Sequence, residues 1–204
     1  MPAEPRVATL TFETTTGTTT TWPLTTSILR QIPLYARSLD FEAANISPGE
    51  RIRIVDTVKR DPEEMLRLVD YLTFGTLRAV PDDEGVDAAI IAFKESLSLH
   101  ALATSLQVRD LVCAIESDLE DYTPPNQQAF VKVMRECGGT ANAPLKARTD
   151  VLRSWCEDFV RRDLEGMAGR WSLAALTAEG GMLNEVVMEV VGEWIMRHEY
   201  CGMD

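Results

Sequence analysis

Two histidines and four cysteines carry the imidazole and thiol chemistry available to this 204-residue chain. His198 and Cys201 stand three residues apart near the chain end. A zinc site takes four ligands, and no second pair such as C-x-x-C completes one. His100 lies within an apolar stripe and reads as a core or groove histidine bonded to backbone, because a catalytic base needs a nucleophile in reach. Cys137-Gly138-Gly139-Thr140 could suggest a thiolate in an anion loop. Such a loop needs an arginine six residues on, and position 143 is alanine, so a helix C-cap and turn is the reading. The chain has no G-x-S-x-G elbow, and neither G-x-x-x-x-G-K-[ST] nor G-x-G-x-x-G. A catalytic carboxylate pair needs unequal burial. Asp118, Glu120 and Asp121, Glu157 and Asp158, and Asp82, Asp83 and Glu84 fall at helix ends or in a loop, where water solvates them. The glycosylation triplet Asn45-Ile46-Ser47 means nothing without secretion. The residues therefore assign no catalytic, cofactor-binding or metal site. An enzyme centred on His100 and the Cys113 helix is the lesser alternative.

The elements around these residues are legible from spacing. Val7 to Phe12 alternates as a strand, with Ala8, Leu10 and Phe12 on one face. Thr14 to Thr21 is threonine throughout except Gly17, which suits a tight turn, so a hairpin of about 7–13 and 18–22 is expected. A helix follows over Thr25 to Ser38 on Ile28, Leu29 and Ile32. Hydroxyls at Thr25, Thr26 and Ser27 can cap it, and Pro33 should kink or end it. Ser47 to Glu50 is a turn, and Arg51 to Val55 is a third strand. Asp61-Pro62-Glu63-Glu64 starts a helix that buries Met65, Leu68, Val69 and Leu72 and stops at Gly75. From Val86 the chain reads as helices. One of them has apolar stripes on two sides, Ile90, Phe93, Leu97 and Ala101 against Leu99, Leu102 and Leu106. Stops fall at Thr123-Pro124-Pro125, at the Gly138 to Pro144 loop and at Gly180-Gly181. The order is β-β-α-β-α and then helices only, an α+β layout without doubly wound βαβ units.

Composition narrows the function classes. Asp and Glu number 32 against 20 Lys and Arg, a net charge of −12. Nonspecific nucleic-acid binding and polybasic membrane attachment both run on excess positive charge, so both are disfavoured. No run approaches the roughly 20 apolar residues of a membrane span. The sparse cysteines and an N-terminus without a signal-peptide profile point to an intracellular protein, cytoplasmic or nuclear.

Several segments resemble, in order, the pieces of one known family. Val7 to Phe12 and Thr18 to Trp22 look like its opening hairpin, and Leu29 to Tyr35 like its first helix, which ends in an aromatic. Phe41-Glu42-Ala43-Ala44 resembles its F-x-E-A step, and Ile52 to Asp56 its third strand. The most specific stretch is Asp61 to Leu77. It is similar to the family's helix D-P-x-x-F-x-x-h-x-x-W/Y-L-Y-T-G-x-L, where h is apolar. Leu99 to Leu111 resembles h-Y-x-L-A-D-x-h-x-h-x-x-L. On these residues the chain resembles the BTB/POZ domain family, in its divergent filamentous-fungal form. The resemblance implies a BTB/POZ-like domain over 1–122, a small three-stranded sheet covered by helices, and an all-helical extension over 123–204. It implies a protein–protein interaction module that self-associates or serves as an adaptor. Some such adaptors link a client to a cullin scaffold in a ubiquitin ligase; the alternative is a transcription-associated corepressor or assembly protein that binds no cullin. The expected partner-binding residues are Leu10 and Phe12 of the first strand and Ile28, Leu29, Ile32 and Tyr35 of the first helix. Val80 and Asp82 join them, in the segment nearest to the family's apolar-x-Glu cullin motif.

Overall fold

The structure is a computed structural model and describes residues 7–47, 51–77, 86–124, 127–138, 146–170 and 181–200. It is α+β and mostly helical, with one small mixed sheet. The described residues group into two compact units that interleave along the chain. The first comprises Met1–Leu77 and Ser98–Ala114, the second Arg78–Leu97 and Ile115–Asp204.

In the first unit, β1 (Val7–Thr14) and β2 (Thr19–Thr25) form the expected hairpin, in register Leu10 opposite Trp22. Gly17 makes the turn at φ +85°, a backbone region that glycine enters without a Cβ penalty. The threonines hold it: the Thr14 N–H donates to Thr18 O at 2.7 Å, and the Thr18 N–H donates back to Thr14 Oγ1 at 3.1 Å. The expected single helix is two. α1 (Thr26–Arg30) is capped by Thr25, whose hydroxyl accepts from the Ile28 N–H. α2 (Pro33–Asn45) starts at the proline. Pro33 has no N–H to give a preceding turn and forces Ile32 into extended backbone, so it opens a helix rather than kinking one.

β3 (Arg53–Arg60) runs parallel to β1, giving the order β2-β1-β3. It continues five residues past the expected end at Val55. Apolar alternation stops there, but Asp56 and Arg60 continue the buried side by pairing with each other. α3 (Pro62–Phe74) has the expected ends. Asp61 Oδ1 accepts from the Glu63 N–H at 2.8 Å, and Gly75 closes the helix at φ +69°. Leu10, Phe12, Leu29, Ile32, Leu39, Ile54, Met65 and Leu68 form the core beneath the sheet.

The rest is helical: α4 (Val86–Leu106), α5 (Arg109–Asp121), α6 (Gln127–Gly138), α7 (Lys146–Arg170) and α8 (Gly181–Tyr200). Both apolar stripes of α4 are buried, as their placement on two sides requires. The core of the second unit is aromatic. Trp155 packs 4.8 Å from Phe93 and 5.6 Å from Phe130, and Phe130 stacks on Phe159 at 4.3 Å. The Trp155 indole N–H donates to the Tyr122 carbonyl at 3.3 Å. Across α7 and α8, Arg153 reaches Glu185 and Glu189, and Arg161 reaches Glu193. Among the described residues no helix is long and apolar enough to cross a membrane.

Candidate interaction surface

Among the described residues of the first unit, a cluster of buried charge ties α2 to β3. The Tyr35 hydroxyl donates to Asp56 Oδ2 at 2.5 Å, and Arg60 Nε donates to the same oxygen at 2.8 Å. The Val58 N–H donates to Asp56 Oδ1 at 3.0 Å, and an Arg60 terminal nitrogen to Ser105 Oγ at 2.8 Å. The register explains how two charges four residues apart in a strand can meet. Phe12 pairs with Asp56 but Thr14 pairs with Arg60, so β3 spends four residues where β1 spends two. That bulge shortens β3 and draws Arg60 back to Asp56. Burial opposes ionisation of Asp56. The bonds from Tyr35, Arg60 and Val58, with the Arg60 charge, outweigh it and hold the carboxyl below its usual range. Burial, then the Asp56 bond and charge, pushes the Tyr35 hydroxyl well above its usual value. This arrangement satisfies its own charges and stays neutral overall, which is what a structural clasp requires.

The clasp fixes the spacing of two walls. Beyond Tyr35, α2 carries Arg37, Ser38, Phe41 and Glu42; beside Asp56, β3 carries Arg53, Ile54 and Val55. These seven residues line an open groove of ≈ 380 Å³. Phe41 is 68% exposed and Val55 62%, so each of the two elements leaves one large apolar side chain in water at the groove. Surface apolar groups are ordinary when scattered; this pair lines one groove that also holds charged side chains, which makes the groove the candidate contact surface. Among the described residues β3 is also an edge strand, with β1 on one side only.

Most of the expected partner-binding residues are packed inside the first unit. Leu10, Phe12, Leu29, Ile32 and Tyr35 are all at most 2% exposed, so they build the core of this chain. The apolar spacing that selected them is the spacing of a buried face. β1 is moreover the central strand, with both edges occupied, so it has no free ladder for another chain. Ile28 is half-buried on α1, and Val80 and Asp82 lie outside the described residues. His100 is buried in α4, consistent with a core histidine. Cys201, Gly139, Thr140 and the whole Asp82–Glu84 segment lie outside the described residues. Among the described residues no group of three or more His, Cys, Asp or Glu side chains is placed to hold a metal ion.

Phe41 and Val55 had a signal in the sequence. On α2 the buried stripe is Tyr35 and Leu39, and Phe41 falls off it by two residues. On β3, Val55 shares the parity of Arg53 rather than that of Ile52 and Ile54. An apolar residue on the polar face of an amphipathic element is the mark that periodicity alone passes over. Comparison of the chain with family models, with curated proteins and with solved structures yields no match.

Proposed function

We propose that this chain is a protein–protein interaction module that works as an adaptor or assembly domain and carries out no chemistry of its own. The observation that carries the reading is the groove between α2 and β3, where Phe41 and Val55 stand exposed on two walls held by a buried clasp. Rigid walls lower the ordering cost of binding, so a small apolar contact there yields more affinity. The resemblance to BTB/POZ domains supports the same reading, since it follows the observed order of hairpin, helix, strand and helix. On that resemblance the partner class includes a second copy, a client protein and a cullin scaffold.

The test is a pull-down from the native cell extract with the full chain and with a Phe41→Asp, Val55→Asp variant. Both substitutions fall on exposed positions, so the fold survives them, as circular dichroism will verify. We expect proteins recovered by the wild type to be missing from the variant. A cullin scaffold among them would establish the ligase role. Identical protein sets from the two baits would overturn the reading.

A further inference from the structure

We propose, resting on that reading, that the groove receives an extended acidic strand of a partner protein. The strand pairs with the outer edge of β3, and its carboxylates meet Arg37 and Arg53. The backbone supplies the first half of the argument. Thr9 pairs with Arg53, and the Thr9 N–H donates to Ile52 O at 2.9 Å. In a parallel ladder alternate residues turn their backbone groups to opposite sides. Ile52 and Ile54 therefore face β1, and Arg53 and Val55 direct N–H and C=O outward to the open edge. Such an edge is a template for strand addition, with main-chain bonds for affinity and neighbouring side chains for selection.

Charge supplies the second half. The groove lining holds two arginines against one glutamate, in a chain whose net charge is −12. Among the described residues neither Arg37 nor Arg53 is held by an ion pair. At physiological salt charges act over about 8 Å, so these two guanidiniums govern what the groove attracts and remote carboxylates do not. A second copy fits badly. Before the bulge the outward positions of β3 are Arg53 and Val55, and the one charge they carry is positive. Two such edges pairing about a two-fold would bring two Arg53 side chains to the seam with no outward β3 carboxylate to meet them, which is unfavourable. An acidic strand meets the opposite situation.

The probe is a fluorescein-labelled heptapeptide of alternating glutamate and valine, titrated with the full chain and followed by fluorescence anisotropy. A lysine–valine peptide of the same length is the control. We expect the acidic peptide to bind and the basic one not. We expect Arg37→Glu with Arg53→Glu to weaken binding by about tenfold or more, the equivalent of about 1.4 kcal/mol. Val55→Pro removes an outward N–H at an edge position where proline is tolerated, and should abolish binding, whereas Val55→Ala keeps that N–H and should retain most of it. Slowed hydrogen exchange at the Arg53 and Val55 amides on adding the acidic peptide reads the same pairing in the unaltered protein. Equal binding of both peptides, indifference to the arginine reversals, or unchanged exchange at those amides would overturn the proposal. If that happens while the Phe41→Asp, Val55→Asp bait still loses its partners, the surface stands as an interface and only the acidic occupant is lost. If the baits also match, both readings fall.

Discussion

Asp56 is a junction of the first unit, because two elements and a second charge close on its carboxylate. Its folded-state pKa is depressed below 3.8, so the stability it contributes is present above that pH and is lost as the pH falls through the folded value. Tyr35 has the opposite sign. Its pKa is raised above 10.0, so its contribution is present below pH 10 and declines as the pH rises beyond it. Asp56→Asn leaves Arg60 buried without a counter-ion, and urea unfolding at neutral pH should show a loss of about 3–5 kcal/mol. The same variant should show a flatter stability profile than wild type below pH 4. Tyr35→Phe should lose about 1.5–3 kcal/mol, the worth of a hydrogen bond to a charged group, and should lose stability less steeply above pH 10. A wild-type acid profile as flat as that of Asp56→Asn would contradict the clasp.

The cysteines show a contrast of the same kind. Cys113 is exposed, while Cys137 and Cys156 are buried. Burial pushes the Cys156 thiol up to about 12, with Glu157 adding to the shift and Arg153 opposing it. Thiolate is the reactive form, so at neutral pH maleimide should modify Cys113 in the folded protein, and Cys137 and Cys156 only after denaturation. Peptide mapping by mass spectrometry separates the three.

At the scale of elements, local chemistry placed the ends and long-range pairing set the lengths. Asp61 and Gly75 were both legible, because a cap and a left-handed terminator act within one turn of their own backbone. Asp61→Ala should cost about 1 kcal/mol. Gly75→Ala meets open space, yet it places a Cβ at φ +69° and should cost about 1–2 kcal/mol in thermal unfolding. The length of β3 was not legible. Nothing near Asp56 in the sequence says that Arg60 will fold back to it or that Tyr35, 21 residues earlier, will share it. The break before Pro33 was legible as a break, but whether the proline ends one helix or opens another depends on what the second helix packs on.

At the scale of the molecule, the second unit depends on one aromatic nucleus. Trp155 touches Phe93, Tyr122, Phe130 and Phe159 from four separate helical or loop segments. Trp155→Ala should therefore cost about 3–5 kcal/mol in chemical denaturation. The exposed ion pairs along α7 and α8 contribute far less, since each is solvated and screened.

Composition, periodicity and capping residues determined the α+β class, the hairpin, the helix starts and the run of helices after residue 86. These follow from forces that act over a few residues, and such forces leave their period in the chain. Tertiary structure alone decided that β1 lies at the centre of the sheet, that β3 is an edge among the described residues, and that Phe41 and Val55 line one groove. An apolar side chain looks the same in sequence whether it is covered by its own chain or waits for another. Only the packing of distant segments, set by burial and by the pairing of charges far apart in sequence, tells the two cases apart.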